Sequence, residues 1–407
     1  MVLTTTPYRF SYIKSEHDWE EYSRLLQAAF PGEGVDILAR RLRNNHPVMT
    51  SRNFFSLWDG NRMVATLNLI PQTWSLGGIK LKVAEMGLVA SDPEYRNRGL
   101  QRIINKQFDK RIKEDGYHLA AIEGIPFFYR QFGYEYSVPL DEWAALPLKN
   151  LPKQPSYDIS ALTTVDVPRV MELLEVSQKK HLVHSLRSRE EWEAQERIGH
   201  VGESASQTYI VRRLGSPVAY FRATIKNTMV LLHEISDTDE DTSKQIATFL
   251  RILGEENGST ELVSRESYDV PFNKYLSILG SIEKPLYAWQ IKVVDPFRIL
   301  TTITTVLEER IAQSPYQGYT GLIPINLYSV TVTLTFTDGV ITGVKQNPSE
   351  QKGDVLINPR IFTKMLLGYR SLDEIEPKYL DVRIKPEYRE LMGILFPKAR
   401  AHIHTCY

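Results

Sequence analysis

Pro93-Glu94-Tyr95-Arg96-Asn97-Arg98-Gly99-Leu100-Gln101-Arg102 stands between an apolar run that ends near Ala90 and a segment with Leu100, Ile103, Ile104, Phe108 and Ile112 at helical spacing. The run predicts a strand, and the spacing predicts a helix closed by Gly116. A strand that turns directly into a helix exposes the unpartnered amides of the first helical turn, and the helix dipole favours an anion there. Gly99 permits close approach, and the arginines supply charge-assisted hydrogen bonds. In isolation these letters describe a basic turn capping a helix; their placement makes them a diphosphate loop.

Upstream of the loop the pattern alternates. Tyr8 to Ile13 reads as a strand, and Ser15 with Asp18 reads as the cap of a helix running to about Phe30. A second helix is expected from Val35 to Arg43. Phe54 to Trp58 and Met63 to Leu69 form a hairpin about Asp59-Gly60-Asn61, and Gly77-Gly78 turns into a strand from Ile79 to Val89. Downstream, His118 to Ile122 is a strand, followed by an aromatic segment up to Tyr134.

Prolines interrupt the pattern between Leu148 and Ser156, which places a boundary near residue 150. The following stretch repeats the arrangement: a helix from Val167 to Val176, strands at Tyr209 to Arg212, Val218 to Ala223 and Met229 to Ile235, a helix from about Ser243 to Leu253, and a strand from Glu261 to Ser264. Its strand-to-helix loop is Asp237-Thr238-Asp239-Glu240-Asp241, which repels a phosphate. From about Trp289 a third region begins, with alternation over Tyr328 to Thr337, an Asp338-Gly339 turn, a strand over Val340 to Val344 and a helix from Ile361 to Leu367. The expected class is α/β and α+β, with units 1–150, 151–290 and 291–407.

The 407 residues suggest about two to four domains, and 42% apolar residues suffice to bury their cores. Lys plus Arg (49) balances Asp plus Glu (49), so there is no global basic field for nucleic acid. No apolar run approaches the roughly 20 residues of a membrane span. The single cysteine, Cys406, excludes an intramolecular disulfide, and no signal-like leader opens the chain. The expected location is cytoplasmic.

Arg96, Gly99 and Leu100, followed some 30 residues on by Tyr129-Arg130-Gln131-Phe132-Gly133-Tyr134, resemble the two signatures of the GNAT acyltransferase superfamily. Gln101 departs from the family loop, which carries a small residue there, so its side chain must turn away from the phosphate. The Arg-x-Arg-Gly-Leu form and the three-part layout are similar to the Eis-type (enhanced intracellular survival) acetyltransferases. The resemblance implies tandem GNAT folds, the second degenerate, followed by a sterol-carrier-protein-like α+β domain.

That resemblance implies transfer of acetyl from acetyl-CoA, as cosubstrate, to a primary amine of an aminoglycoside-like molecule or a protein lysine, by direct attack in a ternary complex. Cofactor contacts are expected from Val89, Ala90, Ser91, Asn97, Arg98, Gly99, Leu100, Gln101 and Arg102, with an oxyanion-binding amide near Val89. Tyr129 is the implied general acid, a phenol being a suitable donor to a thiolate. The α-carboxylate of Tyr407 is the implied base, with Glu85 and Glu123 as rivals. Glu33, Asp36 and Glu85 are expected to serve a cationic acceptor. A homo-oligomer, commonly a hexamer, is also implied.

Several residues point elsewhere. His402, His404 and Cys406 alternate as ligands on one face of a strand would, but the usual fourth ligand and spacing are missing, so no metal is expected. His181 and His184 are expected on the surface of a polar helix. The competing function is a carrier or sensor that binds acyl-CoA or lipid without turnover.

Overall fold

The computed structural model describes residues 7–140, 143–153, 158–283, 287–349 and 353–407. Its first helix, Glu16–Ala29, starts where the sequence places it. The Ser15 hydroxyl accepts from the Asp18 amide at 3.1 Å and the Asp18 carboxylate accepts from the Ser15 amide at 3.0 Å, satisfying two end groups reciprocally. The strands Arg9–Tyr12, Phe54–Asp59, Arg62–Leu76 and Ile79–Ser91 follow one another antiparallel, and Leu119–Ile122 then pairs parallel to Ile79–Ser91. The helix Leu100–Glu114 makes that crossover and buries Leu100, Ile104, Phe108 and Ile112 against the sheet.

Strand Arg62–Leu76 runs seven residues beyond its expected end at Leu69. Pro71 reads as a breaker, but it falls where one edge of the strand lacks a partner: Phe54–Asp59 pairs only up to Asn68, and Val183–Leu186 begins only at Thr73. A missing N–H costs little in such a gap.

A second sheet repeats the first. Asp158–Ala161, Gln207–Arg213, Ser216–Lys226 and Met229–Ile235 are antiparallel neighbours, and Glu261–Ser264 pairs parallel to Met229–Ile235 after the helix Glu240–Glu256. Beside each parallel pair sits a strand contributed by the other unit. Tyr287–Val293 lies between Leu119–Ile122 and Glu135–Leu140 in the first sheet, and Ala144–Pro147 lies between Glu261–Ser264 and Ile282–Glu283 in the second. This reciprocal exchange cuts across boundaries drawn at 150 and 290, because Ala144–Pro147 works in the second sheet and Tyr287–Val293 in the first.

The third region carries a five-stranded sheet built around Gly321–Asn326, Val330–Thr337 and Val340–Pro348. Its apolar face shares one core with the first sheet: Ile323, Val332 and Leu334 join Trp74, Leu81 and Trp289 through Ile299, Phe362 and Leu366. Past the helix Pro386–Leu395 the chain returns, and Ala401–His402 adds in parallel to Val183–Leu186, which itself pairs with Arg62–Leu76. The last residues are thereby led back to the first unit. Among the described residues no helix is long and apolar enough to cross a membrane.

Candidate active site

The parallel pairing of Ile79–Ser91 with Leu119–Ile122 runs from Val83 and Leu119 to Glu85 and Ala121 and stops there, so the two strands part beyond Glu85. Within the free part, Leu88 has φ +49° and the register with Arg62–Leu76 slips between Thr66 and Asn68. An apolar residue in the left-handed region marks a β-bulge, which reverses the alternation of side chains after it. Ala84 and Met86 face the Leu100–Glu114 helix before the bulge, Val89 faces it after, and Ala90 packs on the opposite side among Leu25, Met63 and Ile70.

Val89 and Ser91 therefore line a cleft of about 610 Å³ with Arg96, Asn97, Gly99, Leu100, Gln101, Arg102, Ile125, Phe128, Tyr129 and Phe132. Gly99 caps the helix at φ +72°, and Leu100 and Gln101, the first residues of that helix, have no carbonyl one turn earlier to bond. Gln101 turns its side chain back, donating to Ala90 O at 2.8 Å and Ser91 Oγ at 3.0 Å. Two residues expected to hold the cofactor lie off this surface. Ala90 is buried on the far face, and Arg98 stacks on Tyr95 at 4.4 Å while donating to Glu94 O. Arg96 lines the cleft instead.

Tyr129 is 6% exposed and packs edge-on against Phe128 and Tyr134. Burial, with a smaller contribution from Tyr287, pushes its phenol well above the ordinary tyrosine value, so it stays protonated. Its seat depends on Gly124, a residue the sequence did not single out. A Cβ there would come within 2.3 Å of the Tyr129 ring, while Gly124 O accepts from Gln290 Nε2 at 2.7 Å and from the Tyr287 hydroxyl. Gly124→Ala should displace the ring and lower turnover about tenfold or more with little loss of cofactor affinity, as read by steady-state kinetics beside calorimetry.

On the opposite face Glu85 is 3% exposed. Trp74 Nε1, which can only donate, fixes the Gln72 amide by bonding Oε1 at 2.7 Å, so Gln72 Nε2 donates to Glu85. The Tyr407 hydroxyl donates to the other Glu85 oxygen at 2.7 Å. Burial, and then the charge of Glu123, pushes the Glu85 carboxyl up to about 8 against those two hydrogen bonds. The group of Tyr407 that meets Glu85 is its phenol; its main-chain oxygen accepts from the Gly202 amide at 2.8 Å. Glu203, unnoticed in the sequence, adds to the negative charge around Glu85 and Tyr407.

Glu33 and Asp36 do not join this group. Glu33 is exposed, and Asp36 lines a separate groove, engaged by Ser23, Gln27 and Arg40. The acidic loop of the second unit behaves as its charge requires: Asp239 caps the helix Glu240–Glu256 by accepting from the Thr242 amide at 2.7 Å, and Arg213 bonds that carboxylate. That helix terminus is filled by its own chain. His181 and His184 are not on a helix surface. His181 follows the end of helix Val167–Gln178 and is 6% exposed, and His184 lies in the strand Val183–Leu186.

The chain is similar to known proteins in part of its sequence and in its fold. A family model described as an acetyltransferase (GNAT) domain matches residues 11–137. No curated protein matches the chain. Among solved structures, a GCN5-related N-acetyltransferase from Anabaena variabilis is similar with TM-score 0.74 at 13% identity, over 97% of this chain and 99% of that one. Eis1 from Mycobacterium abscessus is similar with TM-score 0.63 at 12% identity, over 98% and 100%. N-myristoyltransferase from Saccharomyces cerevisiae with bound myristoyl-CoA gives TM-score 0.53 at 12% identity, over 71% and 80%.

Proposed function

We propose that the chain, an acyltransferase in which an acetyltransferase (GNAT) domain model matches residues 11–137, moves an acetyl group from acetyl-CoA to a primary amine by direct attack in a ternary complex. The observation that carries this reading is the opening of the sheet beyond Glu85, with a diphosphate-accepting helix terminus and Tyr129 on one face and Glu85 on the other. Thioester and amine then arrive from opposite sides and meet at the gap.

The diphosphate sits on the amides of Leu100 and Gln101 with Arg96 and Arg102 beside it, and the pantetheine arm runs along Val89 and Ser91. Glu85, as carboxylate, takes a proton from the ammonium of the acceptor through a water, and the freed lone pair attacks the thioester carbon. The amide freed by the bulge near Val89 holds the oxyanion. The C–S bond breaks, Tyr129 gives its phenol proton to the departing thiolate, and the second proton of the attacking nitrogen leaves through water, which restores the phenol and yields the neutral amide. Tyr407 is a positioning residue that holds Glu85.

Glu123 and Glu203, whose charges help raise the Glu85 carboxyl, concentrate negative charge around it, which favours a polycationic amine such as an aminoglycoside or a lysine-rich peptide. The repeated strand order and the self-capped helix Glu240–Glu256 support a second GNAT-like unit that has lost cofactor binding. Thiol release from acetyl-CoA with a panel of amines tests the reading. Polycationic amines should turn over with kcat/KM at least tenfold above a singly charged amine of similar size. Tight acetyl-CoA binding with no thiol release for any amine would support the carrier alternative.

A further inference from the structure

The C-terminal tail brings together residues that lie far apart in the chain. Among the described residues, Glu266, His402 and His404 are the one group of three or more His, Cys, Asp or Glu side chains whose ligand atoms lie within 4.8 Å of one another. All three are buried, Glu266 to 1% exposure. His404 Nε2 lies 2.8 Å from Glu266 Oε1, and His402 Nε2 lies 3.3 Å from Oε2. The sequence supplied the two histidines but suggested Cys406 as their companion. The fold replaces it with Glu266 from the segment after strand Glu261–Ser264, while the Cys406 thiol donates to His404 O.

A second observation is independent of these contacts. His181 is buried and neither of its ring nitrogens has a hydrogen-bond partner, although its ring centroid lies 5.9 Å from that of His402. Two orphaned nitrogens on one buried ring cost free energy that a ligand would recover. The other charged groups nearby are already engaged: Arg187 and Arg222 flank Glu234, leaving Glu266 as the carboxylate that faces the imidazoles. A small cavity of about 30 Å³ touches His402 and His404.

We propose that Glu266, His402 and His404, with His181 as the fourth donor, form a buried structural site for a divalent cation of the zinc class. Two or three imidazoles and one carboxylate suit a borderline ion, and four protein donors leave no open position, the mark of a structural rather than a catalytic site. Tetrahedral zinc with bonds near 2.1 Å sets donors about 3.4 Å apart, so no pair among Glu266, His402 and His404 has to close by more than roughly 1.4 Å, within the reach of side-chain rotation. Gln178 supplies the outer support. Its amide lies 3.2 Å from His404 Nδ1, and with Oε1 turned to that nitrogen it accepts the N–H and presents Nε2 to the metal. The ion would join three places in the second unit and the tail, near residues 181, 266 and 402–404, and would fix the strand Ala401–His402, which ends five residues before Tyr407, the residue that meets Glu85.

The test uses the full chain with no histidine tag. After dialysis against a chelator, zinc ions alone are titrated back, and bound metal is measured by elemental analysis beside the melting temperature. One zinc per chain is expected, with a lower Tm after chelation that zinc restores. His402→Ala and His404→Ala should each lower zinc affinity at least 100-fold, and His181→Ala should lower it about tenfold. Because these variants can fail to fold, cobalt(II) is loaded into the unaltered chain, where the strong visible bands of a tetrahedral site are expected. Fewer than 0.1 zinc per chain with an unchanged Tm would overturn the proposal. So would zinc binding that survives both tail substitutions in folded protein, or cobalt bands of an octahedral, water-rich site.

Discussion

Tyr129→Phe is expected to lower kcat about 10²–10⁴-fold, the usual range for loss of a positioned proton donor, while the affinity for acetyl-CoA stays within about twofold. The ring is held by Phe128, Phe132 and Tyr134 and by the absence of a side chain at Gly124, so the phenylalanine keeps the packing and loses only the hydroxyl. A packing tyrosine would show the opposite: unchanged kcat and a lower Tm. An acetyl thioester whose leaving thiol has a lower pKa than that of coenzyme A should recover part of the lost rate, because that thiolate departs without protonation.

Glu85→Gln should cost about 10²-fold or more in kcat and remove an inflection in the pH profile. The unaltered chain is expected to gain rate as pH rises through about 8, because the carboxyl, pushed up by burial and by Glu123, acts as a base only after losing its proton. The same shift sets a stability trend of known sign. Between the ordinary value of 4.5 and about 8 the native chain keeps a proton that the unfolded chain has released. Stability therefore falls as pH rises through that window, and Glu85→Gln should flatten the fall when Tm is followed across it. Tyr407→Phe, which removes the hydroxyl that bonds Glu85, should shift the kinetic inflection upward, since that bond favours the carboxylate.

The elements that carry this chemistry were readable because local rules act there without competition. The Ser15 and Asp18 box, the Gly99 cap and the apolar spacing from Leu100 to Ile112 each fix their own piece of backbone. What could not be read was what the chain brings together from afar. Ala144–Pro147 and Tyr287–Val293 look like ordinary short strands, and nothing local says that each completes the sheet of the other unit. Gly87, an isolated glycine inside the strand Ile79–Ser91, is the one local sign of the bulge at Leu88, and an expectation of unbroken alternation past it puts Ala90 on the wrong face. Arg189–Ile198 escaped notice because its six charged residues obscure the apolar face that buries Trp192, although Ser188 and Glu191 form a capping box ahead of it. Gly124, Glu203 and Glu266 gain meaning only from Tyr129, Glu85 and the tail histidines.

The central claim is that the helix beginning at Leu100 receives a diphosphate in the cleft lined by Val89, Ser91 and Tyr129. Titration calorimetry with coenzyme A and with acetylated pantetheine, which lacks the diphosphate and nucleotide, tests it most directly. One site per chain is expected for coenzyme A, with affinity falling about 100-fold or more for the truncated ligand and also for Arg96→Ala combined with Arg102→Ala. No heat with coenzyme A, or equal binding of the two ligands, would contradict it.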